Sequence, residues 1–343
     1  MTELPVDYSA IEKSLAELWR SEKEGDKAVT RAALWNVVAH TTNRQDHSSA
    51  SATLARASES VPQRAIVIRA EVDGPPEIAS WISANCHRVG GAKQVCSEEV
   101  AIVASGDRVR HIPPLVNALL IPDMPVAVWW LGDLPDNDHT YVERLLVSAD
   151  RLIVDSTDFD SVSDLIWLRE IGEKTFTAPA DLNWARLADW RSVTASMFDP
   201  PAMREKLVRI RRMHLTAAAG ASRTFGNSIE ALYYAAWIRA QAAPQGAEEV
   251  EYVIDFEESA AHPGALTQVR IEFDDGSDSM LRRDEERGVV TASCGTALNL
   301  DSITRLLGRS VHDVIVRQLK RPETDAVFVK LLPIAMELAG RLV

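Results

Sequence analysis

The chain has 343 residues, 46% of them apolar, and a formal charge of −13. That length predicts about two domains with ample material for buried cores. The acidic balance argues against a nucleic-acid partner, which needs a concentrated basic surface, and the lack of an 18-residue uncharged apolar run argues against a membrane span.

The opening residues carry Glu3, Asp7 and Glu12 and lack the basic-then-apolar order of a signal peptide, so a cytoplasmic location is expected. Residues 8–20 place Ile11, Leu15, Leu18 and Trp19 at helical spacing. Short apolar runs rich in β-branched residues then recur at 34–39, 65–70, 100–104, 126–131 and 152–154, as suits strands buried on both faces. Helices are predicted between them at 44–60, 76–85, 112–121 and 137–148, the last capped by Asp136, Asn137 or Asp138. The alternation predicts a mostly parallel sheet covered by helices, with right-handed crossovers. Pro122 and Pro125 cannot donate to a ladder, so the strand ending in Trp129 and Trp130 starts at or after Pro125.

Composition shifts near residue 200, where the predicted boundary falls between an α/β domain (1–200) and an α+β domain (201–343). Residues 200–243 read as helical, and the cluster Arg204, Lys206, Arg209, Arg211 and Arg212 reads as a solvated or salt-bridged helix face. A turn at Gly246 to Glu249 precedes alternating segments at 251–256, 266–273, 279–283 and 289–293. His262-Pro263-Gly264, Asp274-Asp275-Gly276 and Arg287-Gly288 supply hairpin chemistry between them, which predicts an antiparallel meander closed by helices at 301–319 and 323–342.

The chain contains no G-x-G-x-x-G after a strand, no phosphate-binding P-loop, no H-E-x-x-H, no C-x-x-C and no G-x-S-x-G. No catalytic, cofactor or metal residues are assigned, although an α/β sheet can bind a ligand at its carboxyl edge without these motifs. His40, Asn43, Arg44, Asp46 and His47 follow the first predicted strand, where such sites form; the same residues suit a polar loop and helix cap. Cys86, Cys96 and Cys294 are too few for a disulfide framework and are expected to be reduced. Cys86, His87 and Cys96 suit packing, a redox pair or part of a metal site, with packing the simplest reading. Gly90 and Gly91 beside Lys93 suit a tight loop or an anion-cradling turn. Trp129 and Trp130 point to opposite faces of a strand, so one is assigned to the core and the other to a covering helix or partner contact.

Several of these segments together resemble one family. They are Cys86-His87, Gly90-Gly91, Gln94-Val95-Cys96-Ser97-Glu98, and Leu119-Leu120-Ile121-Pro122-Asp123-Met124-Pro125-Val126 running into Trp129-Trp130. Weaker matches in the same order are Arg31 to Val38, Pro62 to Val67, and Asp181 to Leu187 leading to Trp190-Arg191. The chain resembles the OpcA family, assembly or accessory subunits of glucose-6-phosphate dehydrogenase, most strongly over residues 30–200. The resemblance implies a non-catalytic protein without a cofactor, whose partner is that dehydrogenase and whose effect is assembly or allosteric activation in the oxidative pentose phosphate pathway. The alternative from the residues alone is a small-molecule, sugar-phosphate-like enzyme or sensor using His40, Arg44 and His47 at the sheet edge.

Overall fold

The computed structural model describes residues 8–23, 29–89, 93–135, 139–220, 224–242, 250–294, 302–307, 310–321 and 323–342. The fold is α/β, in two compact units interleaved along the chain. Unit 1 holds 1–154, 170–180 and 315–324; unit 2 holds 155–169, 181–314 and 325–343. This partition differs from a single cut near residue 200 by giving 155–169 and 181–200 to unit 2 and 315–324 to unit 1.

Unit 1 is built on strands β1 (Val29–Arg31), β2 (Trp35–Thr41), β3 (Gln63–Glu71), β4 (Ile78–Val89), β5 (Lys93–Ser105), β6 (Val126–Trp130), β7 (Arg151–Val154) and β8 (Ala178–Asp181). Their order is β1-β5-β3-β2-β6-β7-β8, with β4 antiparallel on β5. The β1–β5, β5–β3, β3–β2, β2–β6 and β6–β7 pairs are parallel. Every residue of β2 and β6 is buried; β6 is an unbroken apolar run, while β2 has an apolar centre at Val37, Val38 and Ala39 flanked by the buried polar residues Asn36, His40 and Thr41. From β2 the chain steps outward to β3 and β5, then returns to place β6 on the other side of β2. The β5-β3-β2-β6-β7-β8 path is the doubly wound 3-2-1-4-5-6 order, and its topological switch point lies between β2 and β6.

Helices α1 (Tyr8–Lys23), α2 (Arg44–Ala57), α3 (Ile112–Leu119) and α4 (Thr140–Leu146) fall near their predicted positions. The proposed caps of α4 at 136–138, and Gly90-Gly91, lie outside the described residues. Of residues 76–85, expected to be helical, 78–85 lie in β4. There Ile78, Ser80, Ile82 and Ala84 are half-buried while Ala79, Trp81 and Ser83 are exposed, the period-2 pattern of an edge strand.

Much of the sequence that carries the family resemblance holds this sheet together. Asn36, fully buried in β2, donates from Nδ2 to the Ile121 carbonyl at 3.0 Å and accepts the Ile121 amide at 2.8 Å. It thus secures the proline-flanked turn in which Asp123 adopts φ 62°. On the neighbouring strands the Gln63 amide donates to Ser97 Oγ at 3.1 Å, and Arg64 pairs with Glu98, which also accepts the Trp19 indole N–H at 2.6 Å.

Unit 2 carries β9 (Ile210–Ala218), β10 (Glu251–Glu257), β11 (Leu266–Phe273), β12 (Asp278–Asp284), β13 (Val289–Cys294) and β14 (Ser302–Arg305), in the order β10-β9-β11-β12-β13-β14. The meander is real from β11 to β14 and extends through β9, while β10 joins β9 in parallel. The turn at 262–264 is therefore not a hairpin, because β9 lies between the strands it connects. The other two turns are hairpins, and Gly276 and Gly288 there have φ of 80° and 62°, which glycine adopts without a side-chain clash.

Around this sheet lie α6 (Leu182–Arg186), α7 (Ala188–Phe198), α8 (Pro201–Arg204), α9 (Ile229–Ala242) and α11 (Ala326–Leu342); α5 (Val162–Thr175) and α10 (Val311–Leu319) each straddle the division of units. Two predicted helical stretches contain strands: β9 within 200–243 and β14 within 301–319. In β9 a register shift between Glu272 and Phe273 leaves both Arg211 and Arg212 outward between buried Ile210 and Met213, so the apolar spacing imitates a helix. The basic residues are salt-bridged, as Lys206–Asp275, Arg209–Asp274 and Arg212–Glu251, but only some lie on helical turns.

Candidate functional site

The carboxyl ends of β2 and β6 define the candidate site. His40 and Trp130 are register partners on these adjacent strands, so their side chains leave the same face, and their rings stack at 3.8 Å with planes 11° apart. Tyr141, on α4, meets the His40 ring at 5.6 Å and the Trp130 ring at 6.5 Å. The Trp130 indole N–H donates to the Asp133 carbonyl at 3.1 Å. The three rings line a cavity of about 500 Å³ whose remaining wall includes Val72, Val109, Pro113 and Val142, with exposed Arg110 and Arg144 also on its lining.

Two polar atoms in these rings lack a partner: the buried Nδ1 of His40 and the phenolic oxygen of Tyr141. Burial lowers the His40 pKa to about 3, so its imidazole is neutral and offers one donor and one acceptor. Burial likewise raises the Tyr141 phenol well above its ordinary value, so it stays protonated.

The β2–α2 turn, where a doubly wound fold would seat a pyrophosphate, is built differently. Asn43 caps α2 by accepting the Asp46 amide at 2.9 Å, and its own amide donates to the Asp46 carboxylate at 2.6 Å. A side chain therefore takes an amide that a phosphate would use, and a carboxylate adds negative charge at the helix start. Gly132 lies beyond β6 instead, with φ +89° and a would-be Cβ 3.3 Å from Thr42 Oγ1.

Of the sequence-predicted positions, His40 and Trp130 meet at this cavity. Trp129 is buried on the opposite face of β6, and Arg44 is exposed at the start of α2, outside the cavity lining. His47 is buried with its ring 5.9 Å from Trp81; burial lowers its pKa and the charge of Arg69 adds to the shift. His40, Arg44 and His47 thus do not form one cluster. Sequence reasoning missed Tyr141, Arg110 and Arg144; nothing local marked them, and Tyr141 read only as part of a helix.

Cys86 and Cys96 are cross-strand partners on β4 and β5, with Cα atoms 4.0 Å apart and their sulfurs bonded. This corrects the expectation of reduced thiols for that pair: antiparallel pairing places the two Cβ atoms at bonding distance, a constraint the spacing of ten residues did not reveal. Cys294 is free and buried. Among the described residues no three His, Cys, Asp or Glu side chains are grouped to hold a metal ion, and no helix is long and apolar enough to cross a membrane.

A second polar cluster lies within unit 2. Arg186 donates to both oxygens of Asp155 at 2.8 and 2.7 Å. Asp181 accepts from the amides of Ser156 at 3.3 Å and Asn183 at 2.8 Å and from the Tyr233 hydroxyl at 2.6 Å. Burial raises Asp155, but the bonds and charge of Arg186 outweigh it and hold the carboxyl below its usual range. Burial pushes Asp181 up to about 6, with the Asp155 charge acting in the same direction against the hydrogen bonds. Glu230, also buried, accepts the Leu266 amide at 2.8 Å and contacts His262 Nε2 at 3.0 Å.

A doubly wound sheet with an aromatic crevice at its switch point, lacking the glycine phosphate turn and joined to a mixed-sheet unit, defines a Rossmann-like class without the dinucleotide fingerprint. Residues 54–170 match the family described as the glucose-6-phosphate dehydrogenase subunit N-terminal domain, and residues 177–332 match the corresponding C-terminal domain. The chain belongs to this OpcA family. It is 31% identical over 180 residues to OpcA, a candidate OxPP cycle protein of Synechocystis sp., and 30% identical over 226 residues to its namesake from Synechococcus elongatus. These alignments cover 52% and 64% of this chain but only 36% and 46% of those relatives. Among solved structures it is similar to KijD10, a 3-ketoreductase from Actinomadura kijaniata, at 10% identity and TM-score 0.48, covering 91% of this chain and 97% of that one. An NAD binding oxidoreductase from Klebsiella pneumoniae is similar at 11% identity and TM-score 0.46, covering 91% and 96%.

Proposed function

We propose that this chain is a non-catalytic accessory subunit that binds glucose-6-phosphate dehydrogenase and promotes its assembly or allosteric activation in the oxidative pentose phosphate pathway. The observation that carries the reading is the pair of ordered family matches, which together run from residue 54 to residue 332. The switch point supports it: the turn that would hold a dinucleotide phosphate is filled by Asn43 and Asp46, and the neutral His40 abuts aromatic rings rather than a nucleophile. Such a subunit activates only by binding one state of the enzyme more tightly than another. A tenfold preference is worth about 1.4 kcal/mol.

The test is dehydrogenase activity across a glucose 6-phosphate titration with and without this chain, using the enzyme from the same organism and measuring complex mass in parallel. The expected result is a change in KM, kcat or oligomer size that saturates at fixed stoichiometry. A dehydrogenase whose kinetics and mass are both unaltered by an excess of the folded chain overturns the reading.

A further inference from the structure

The switch-point cavity in unit 1 has the features of a ligand site, and none of the accessory role requires them. Its volume of about 500 Å³ falls within the range of about 300–1,000 Å³ common to small-molecule sites. It opens where doubly wound sheets take ligands, between the first strand and the strand after the reversal. Buried polar groups are nearly always hydrogen-bonded in folded proteins, yet His40 and Tyr141 each leave a buried polar atom unpartnered in this wall.

We infer that this cavity binds a small anion carrying one planar heteroaromatic ring, of about mononucleotide size, with the ring among Trp130, Tyr141 and Val72 and the acid group against Arg110 and Arg144.

The walls decide the body of the ligand. Ala70, Val72, Val109, Pro113 and Val142, together with the faces of the aromatic rings, supply few hydrogen-bonding groups. A sugar phosphate would leave several hydroxyls unsatisfied there, each at a cost, whereas a flat ring gains contact area and edge or face interactions with the aromatics. Asp133 also lines the cavity, and its carboxylate is the acceptor available there for ring N–H or amino groups. The same carboxylate disfavours a compact anion with no donor of its own. Guanidinium groups suit a phosphate or carboxylate through paired hydrogen bonds. Because Asn43 and Asp46 occupy the start of α2, the acid group is assigned to the arginines of the 106–111 turn and α4 instead.

The inference is independent of the dehydrogenase and is tested on the purified chain alone. Calorimetric titration uses five probes, the four common ribonucleoside 5′-monophosphates and nicotinamide mononucleotide, against inorganic phosphate, glucose 6-phosphate and adenosine. At least one nucleotide should bind at equimolar stoichiometry, and each control should bind at least about tenfold more weakly, phosphate and glucose 6-phosphate for want of the ring's contacts and the uncharged nucleoside for want of the charge-assisted ones. Arg144→Glu and Arg110→Glu alter exposed residues, so the fold should persist by circular dichroism and thermal melting while affinity falls about tenfold or more. The inference is overturned if none of the five nucleotides saturates at millimolar concentration, if inorganic phosphate or glucose 6-phosphate binds as tightly, or if both arginine variants bind as well as the natural chain.

Discussion

The Asp181 cluster of unit 2 and the cavity wall of unit 1 bury polar groups in opposite ways. In unit 2, Asp155, Asp181 and Glu230 are surrounded by donors: a two-pronged arginine, three backbone amides, a tyrosine hydroxyl and a histidine. In unit 1, His40 and Tyr141 leave polar atoms unanswered beside a cavity. A completed network rigidifies and specifies its surroundings, and it has no bonding capacity left for a ligand. A shifted pKa therefore does not by itself mark a functional group. Asp181 is strongly shifted yet belongs to the scaffold.

The comparison can be broken first at Arg186. Replacing it by Met in Arg186→Met leaves the Asp155 carboxylate partly buried with its main partner gone, and breaking such a pair costs about 3–5 kcal/mol. Urea unfolding of the variant measures it; a loss below about 1 kcal/mol would mean water reaches Asp155 and the network is not closed. A matched pair of tyrosines gives the sharper, smaller contrast. Tyr233→Phe removes the donor that Asp181 holds at 2.6 Å and should cost about 1–3 kcal/mol. Tyr141→Phe removes a hydroxyl with no protein partner and should leave stability unchanged or slightly raised. Equal losses at the two positions would show that the Tyr141 hydroxyl is satisfied after all, and the contrast between the units would fail there.

The sequence carried the framework of unit 1 better than that of its edges. Central strands announce themselves because both faces are buried, so β2, β3 and β6 are apolar throughout their cores. Edge elements do not: in β4 Ile78, Ala79, Trp81 and Ile82 also fit helical spacing, and only pairing with β5 settles the period. In β9 the bulge at Arg211 erased the alternation. The candidate site was half legible. His40 and Trp130 could be placed at strand ends by rule, but Tyr141, Arg110 and Arg144 arrive from segments remote in sequence, and only the β2–β6 pairing and the packing of α3 and α4 around it bring them together. The resemblance residues Gln63, Arg64, Ser97 and Glu98 proved to be clamps between β3 and β5, a role that neither composition nor spacing expresses.

Both regions are tested in a single experiment by the dependence of stability on pH, where their opposed contributions leave only a small net slope in the natural chain. Asp181 has a folded pKa of about 6 against an ordinary 3.8, so between those values the folded chain holds a proton that the unfolded chain has released. Its contribution is therefore full below the ordinary value and is lost as pH rises through about 6. His40 acts with the opposite sign. Its folded pKa of about 3 against 6.5 means that, as pH falls below 6.5, the unfolded chain takes a proton the folded chain refuses, so stability falls on acidification. Between pH 4 and 6 the two slopes oppose each other and partly cancel in the natural chain. Asp181→Asn should thus steepen the loss of stability on acidification, and His40→Asn should make it shallower, both read as the slope of urea midpoints across that window rather than as absolute stability. Slopes that move in the same direction in the two variants would show that one of these groups is solvated in the folded chain. If that group were His40, water rather than an apolar wall would surround the imidazole, and the cavity would lose the dryness on which its preference for a ring depends.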